Sequence, residues 1–175
     1  MGNKVNQKIK PTYAFIDAAN IIYGTRDEGW KVDFAKLYKY LKERYKCRKI
    51  FYFAGVEENN EKQAKFYKVL QKIGFGLVLR KVKIFKQEDG KQVRKANCDV
   101  DLTFYAMKLI EKYQRVLFFS GDGDFDVLLS YYVQQKKEVL VYSNSKRTAR
   151  EIKTLKGICF NDLKVLKPII IRYKK

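Results

Sequence analysis

The chain has 175 residues, 46% of them hydrophobic and 15% aromatic, which suffices for one core of ordinary size and excludes a disordered or low-complexity protein. Its 38 Lys and Arg against 19 Asp and Glu give a formal charge of +19. A surplus of that size points to polyanions, nucleic acid first and an anionic membrane second, with a uniformly basic surface as the plain alternative. Histidine is absent altogether, which removes Ser-His-Asp and Cys-His catalysis, histidine-ligated zinc and histidine general bases together.

No apolar run approaches the roughly 20 residues of a membrane span, and residues 1–10 lack the apolar middle of a signal peptide. A cytoplasmic protein is expected. The three cysteines, Cys47, Cys98 and Cys159, are odd in number and form no CxxC, which argues for reduced thiols over a zinc site or a disulfide framework.

In chain order, a basic lead over residues 1–11 precedes a buried strand at 13–16 that ends on Asp17, followed by a turn or short helix through Gly24. Asp33 reads as the N-cap of a helix in which Phe34, Leu37, Tyr38, Leu41 and Tyr45 recur at helical spacing. Residues 49–55 form a second strand and 61–73 a helix that Gly74 stops. A third strand at 77–79 leads into a hairpin whose turn is Glu88-Asp89-Gly90. The hairpin region holds seven cations, Lys83, Arg94 and Lys95 among them, against two acids. A helix with Leu102, Tyr105, Ala106, Leu109 and Tyr113 follows. Then come a strand at 116–119, an acidic glycine turn and a helix carrying Leu128, Leu129, Tyr132 and Val133. A strand at 138–142, a helix at 147–155 and a short strand at 158–160 follow, with an apolar tail (164–175) left as an edge strand or a cover for the core. Alternating strands and helices predict one α/β domain over residues 1–175, its core at about 12–163, with a mainly parallel central sheet between helical layers.

Acids gather at the joints of this layout. Asp17 ends the first strand, Asp99 and Asp101 open a helix, and Asp122 and Asp124 follow the fourth strand. In open parallel sheets ligands bind at the carboxyl ends of the strands, and carboxylates crowded there repel one another unless a cation neutralises them. An oxygen-only donor set suits Mg²⁺ or Mn²⁺. Capping accounts for Asp17 alone, but it accounts poorly for two acids beside two glycines at 121–124. The run from Asp122 to Asp126 imitates the start of an EF-hand loop, yet Val127 and Val133 stand where that loop needs Gly and Glu. Asn20 could orient a carboxylate, a water or a phosphate, and Ser120, lacking a histidine partner, is expected beneath the acids or against phosphate.

Three segments carry a resemblance: Asp17-Ala18-Ala19-Asn20, Lys95-Ala96-Asn97-Cys98-Asp99-Val100-Asp101 and Ser120-Gly121-Asp122-Gly123-Asp124-Phe125. Together they resemble the NYN domain family, the LabA-like branch of the PIN-like nucleases, over nearly the whole chain. The resemblance implies a PIN-like, Rossmann-like three-layer sandwich and a metal-dependent ribonuclease. On the matching positions it implies a site of Asp17, Asp99, Asp122 and Asp124, with Asn20 and Ser120 beside them. Members often carry a Ser and then an Asp in the last helix, where this chain has Ala149 and Gly157.

The resulting expectation is hydrolysis of RNA phosphodiester bonds with Mg²⁺ or Mn²⁺ held by Asp17, Asp99, Asp101, Asp122 and Asp124. The ion would lower the pKa of a water and neutralise charge on the phosphate. Asn20, Ser120, Lys83, Arg94 and Lys95 would bind a substrate that is single-stranded RNA. A homodimer is compatible with the sequence, and no membrane is involved. Two other readings stay open: an RNA-binding or scaffold domain without catalysis, which the departures at 149 and 157 favour, and a metal-dependent phosphatase on the same architecture.

Overall fold

The computed structural model describes residues 10–86 and 92–173, and for 84–86 and 92–95 the backbone alone. Six parallel strands form the central sheet: β1 (Thr12–Asp17), β2 (Cys47–Val56), β3 (Gly76–Lys81), and later β6 (Arg115–Phe119), β7 (Glu138–Ser143) and β8 (Ile158–Asp162). Between them, β4 (Lys83–Lys86) and β5 (Gln92–Lys95) pair antiparallel as a separate ribbon, with Lys83 opposite Lys95. The turn expected at Glu88–Gly90 lies outside the described residues. The sheet order is β3-β2-β1-β6-β7-β8. The chain thus builds outward from β1 in one direction, returns, and builds outward from β6 in the other, so the strand order reverses between β1 and β6. That is the doubly wound order, whose ligand crevice opens at the reversal.

Alternation along the strands explains the three layers. In β1, Ala14 and Ile16 face one side while Tyr13 and Phe15 face the other; in β6, Leu117 and Phe119 match the first side, Val116 and Phe118 the second. The first face is covered by α1 (Ala18–Asp27), α2 (Phe34–Tyr45) and α3 (Glu61–Ile73) through Ile21, Leu37, Leu41, Tyr67 and Leu70. The second is covered by α4 (Cys98–Lys108), α5 (Asp126–Gln134) and α6 (Arg150–Thr154) through Leu102, Ala106, Leu128, Leu129, Tyr132 and Ile152. Strands buried on both faces need continuous apolar runs, which is why β1 and β6 read as such in the sequence.

Helix ends follow the expected chemistry. Asp33 caps α2 by accepting the Lys36 amide at 3.1 Å, and Gly74 closes α3 at φ 118°. Two elements differ from the sequence reading. The helix expected at 147–155 begins only at Arg150, because the preceding backbone folds onto Asn144: the Arg147 and Thr148 amides donate to its carbonyl at 3.0 Å and the Lys146 amide to its Oδ1 at 2.9 Å. The helix carrying Leu102 stops at Lys108, and Tyr113 sits in extended backbone, its buried hydroxyl donating to the Ala106 carbonyl at 2.7 Å. The tail forms a cover: α7 (Lys167–Ile170), with Pro168 in its first turn, buries Ile170 beneath α2, and a single antiparallel bridge joins Ile171 to Val32. Among the described residues no helix is long and apolar enough to cross a membrane, and the three cysteines are free thiols.

Candidate functional site

At the reversal between β1 and β6, the two strand ends are tied together by one hydroxyl. Asp17 is the last residue of β1 and the N-cap of α1; its Oδ1 accepts the Ala19 and Asn20 amides at 3.0 and 3.4 Å. Its Oδ2 accepts a hydrogen bond from Ser120 Oγ at 3.0 Å, and the same Oγ accepts the Asp122 amide at 3.3 Å. Ser120 is fully buried, so it orients the acids and offers no surface to a phosphate. Asp122 in turn caps the single 3-10 turn Gly123–Phe125 by accepting the Asp124 amide at 3.2 Å. Gly121 allows this turn to seat: a Cβ there would collide with Ser143 Oγ and lie 2.7 Å from Thr148 Oγ1.

A cleft of about 1060 Å³ opens above this joint, and Asp17, Asp99, Asp122 and Asp124 all line it. Their charges are felt across it. Burial, with the Asp99 charge adding, raises the Asp17 carboxyl to about 6 against the pull of the Ser120 hydroxyl and the two amides. Asp99, in the first turn of α4, is raised by burial and then by Asp122 and Asp124. The Cys98 thiol beside it is pushed up to about 11 by burial and by the charges of Asp17, Asp99 and Asp101.

Other expected site residues are placed differently. Asp101 does not line the cleft: it forms a two-pronged ion pair with Arg80, both N···O distances 2.5 Å, which holds it below the usual carboxylate range. Positions two apart on a helix point to different sides, so Asp99 and Asp101 part company. Asn20 Oδ1 accepts the Ser143 hydroxyl at 2.8 Å, which fixes its amide behind the acids. Lys83 lines the cleft and is exposed, whereas the side chains of Arg94 and Lys95 lie outside the described residues. Of the positions where the last helix departs from its expected pattern, Ala149 packs on the acidic turn, its amide donating to the Gly121 carbonyl at 2.9 Å and its Cβ 3.1 Å from where a Gly123 Cβ would sit. Gly157 serves a turn at φ 90°. The Glu151 carboxylate lies 3.7 Å from that same Gly123 position, bringing one more acid to the turn.

The sequence reading missed Glu57 and Tyr52 in the walls of the cleft, where Arg80 of the basic hairpin region also stands. Glu57 follows the end of β2 as Asp17 ends β1, so the rule that ligands gather at strand carboxyl ends would have found it. Tyr52 is wholly buried, its hydroxyl has no hydrogen-bond partner among the described residues, and burial above all, with Tyr67 and the Asp17 charge adding, raises its pKa.

The profile of the NYN domain matches residues 11–157. The chain belongs to the NYN domain family. This NYN chain is also 24% identical over 156 residues to the low amplitude and bright protein LabA of Synechococcus elongatus, covering 86% of this chain and 83% of that protein. Its fold is similar to the crystal structure of a Vibrio parahaemolyticus protein of unknown function, at a TM-score of 0.71 and 22% identity, over 94% of this chain and 98% of that one. NYN domains fall within the PIN-like nuclease superfamily, are generally nucleases and generally use divalent metals. The donors in this NYN cleft fit such an ion in kind, being carboxylate oxygens with no imidazole anywhere in the chain. Among the described residues, however, no three Asp, Glu or Cys side chains stand close enough to enclose an ion as they are. Holding one would require carboxylates to turn inward.

Proposed function

We propose that this NYN domain hydrolyses RNA phosphodiester bonds with a divalent ion, Mg²⁺ or Mn²⁺. The observation that carries the reading is the convergence of Asp17, Asp99, Asp122 and Asp124, from three separate parts of the chain, on one cleft at the strand-order reversal. Those four would hold the ion, Asp101 being engaged by Arg80. When bound, the ion supplies Lewis-acid stabilisation of charge on the phosphate and a more acidic water.

The chain's own groups do the rest. Asp17 is fixed on two sides, by α1 amides and by Ser120, so its second oxygen keeps one direction. Asp122 and Asp124 share a rigid turn, while Asp99 reaches the cleft from α4, an element that packs on β1 and β2. Burial makes the Asp17 charge costly, and a cation in the cleft would offset that cost. Lys83 on the cleft wall offers a cation to the phosphates beside the reacting one, while Arg80 and Lys81 there are paired with Asp101 and Glu58.

The test is cleavage of single-stranded RNA with Mn²⁺ by wild type and by Asp122→Asn. Loss of activity in the variant is expected, and equal cleavage by both would reject the assignment. A second reading, RNA binding without cleavage, draws support from Ala149 and Gly157 and from the spread of the carboxylates. It predicts salt-sensitive binding with no product from either protein.

A further inference from the structure

Beside the acidic cleft, on the face covered by α1, α2 and α3, runs a second depression of about 520 Å³, within the roughly 300–1000 Å³ of organic-ligand sites. It is apolar: half-buried Phe34 and Phe66 meet edge to face at 5.5 Å, and Val69, 53% exposed, stands beside them. Three cations stand round it, Arg26, Lys31 and Arg172, and among the described residues none is paired with an acid. Its one carboxylate, Asp33, faces the amide it caps at 3.1 Å. An apolar floor among unneutralised cations calls for a ligand with a flat apolar body and negative charge at its margins.

The depression adjoins the acidic cleft. Ile22 and Phe66 line both, and Arg26 lies 4.7 Å from the ring centroid of Tyr23, a cleft residue. A polyanion cannot be held over four carboxylates by those carboxylates, so cations on either side must anchor it. Lys83 stands on one side and the Arg26, Lys31 and Arg172 group on the other.

We infer that this groove is a nucleotide subsite, taking an unpaired base on its apolar floor and flanking phosphates on its three cations, for the RNA strand that crosses the acidic cleft. The inference rests on the ribonuclease reading and adds where the strand goes after the acids. Unpaired bases stack on aromatic and apolar side chains with little sequence preference, so a single strand is the form that fits.

The experiment measures binding of a fluorescein-labelled decauridylate in EDTA by anisotropy, so that no cleavage is needed. Compared are the wild type, Lys31→Glu with Arg172→Glu, Val69→Asp, Lys83→Glu on the cleft wall, and Lys112→Glu, an exposed lysine before β6 at the opposite end of the sheet. Groove variants weaker than the Lys112 variant by about 10-fold, with unchanged thermal melts, are the expected result. Groove variants that match the Lys112 variant while Lys83→Glu still weakens binding would overturn the subsite and leave the RNA reading intact. If wild type itself binds no RNA, both fall. Photo-crosslinking of wild type with a 4-thiouridine decamer gives an answer independent of variant folding: adducts at Phe34, which lines the groove and not the cleft, support the groove, and adducts confined to the cleft oppose it.

Discussion

Asp17 is the residue on which two demands meet. It caps a helix and accepts a buried hydroxyl, both of which favour its charged form, yet burial dominates and raises it to about 6 from an ordinary 3.8. The sign of the consequence follows from proton counting. Between about pH 4 and 6 the unfolded chain has already released this proton while the folded chain still holds it, so stability falls as pH rises through that window and levels off above it. The loss is at most about 3 kcal/mol, because a tenfold change in a proton-binding constant corresponds to about 1.4 kcal/mol. An asparagine at 17 keeps an oxygen for the Ala19 and Asn20 amides and brings no charge. Asp17→Asn should therefore melt several degrees above wild type at pH 7.5 in EDTA and no higher at pH 4. Thermal melts at both pH values check this, and a variant less stable at pH 7.5 would mean that the ionised carboxylate is stabilised where it stands.

At the scale of elements, much of the site was legible because the chemistry sits at joints. Continuous apolar runs announced β1 and β6, and the glycines of the 121–123 turn announced a tight passage between strand and helix. What the sequence could not supply was side-chain direction within an element. The spacing of Asp99 and Asp101 already puts them on different sides of α4, and the partner across from them, Arg80 at the end of β3, decides which one leaves the cleft. Ser120 was legible as a group near the acids, but its burial depends on how tightly Gly121 lets the turn close on Ser143 and Thr148. The shortened α6 was hidden for another reason: its apolar spacing fits a longer helix, while the turn that folds residues 146–148 onto Asn144 delays its start to Arg150. These placements give a sharp expectation. Asp99→Asn should lower Mn²⁺-dependent RNA cleavage by about 100-fold, whereas Asp101→Asn, which breaks an exposed pair with Arg80, should leave it within about 3-fold. Single-turnover rates of the two variants decide it, and equal losses would return Asp101 to the site.

Across the whole molecule, charge is arranged by place as well as by amount. The surplus of +19 would attract RNA to any face, yet the acids are concentrated at the carboxyl end of the sheet, where the strand order reverses. A nonspecific attraction and a defined track over that end make different claims about salt. For single strands, each phosphate neutralised contributes about −0.7 to the slope of log affinity against log salt. If binding reflected the net charge alone, removing any lysine would have the same small effect. If the strand lies across the cleft, Lys83→Ala should make the slope shallower by about 0.7, while Lys112→Ala, at the other end of the sheet, should leave it unchanged. Binding of a labelled decauridylate between 50 and 300 mM KCl in EDTA measures both slopes on folded protein without any turnover. Equal slopes for the two variants would show that the RNA is held by the charge of the molecule at large, and the acidic cleft would then lose its claim to the substrate.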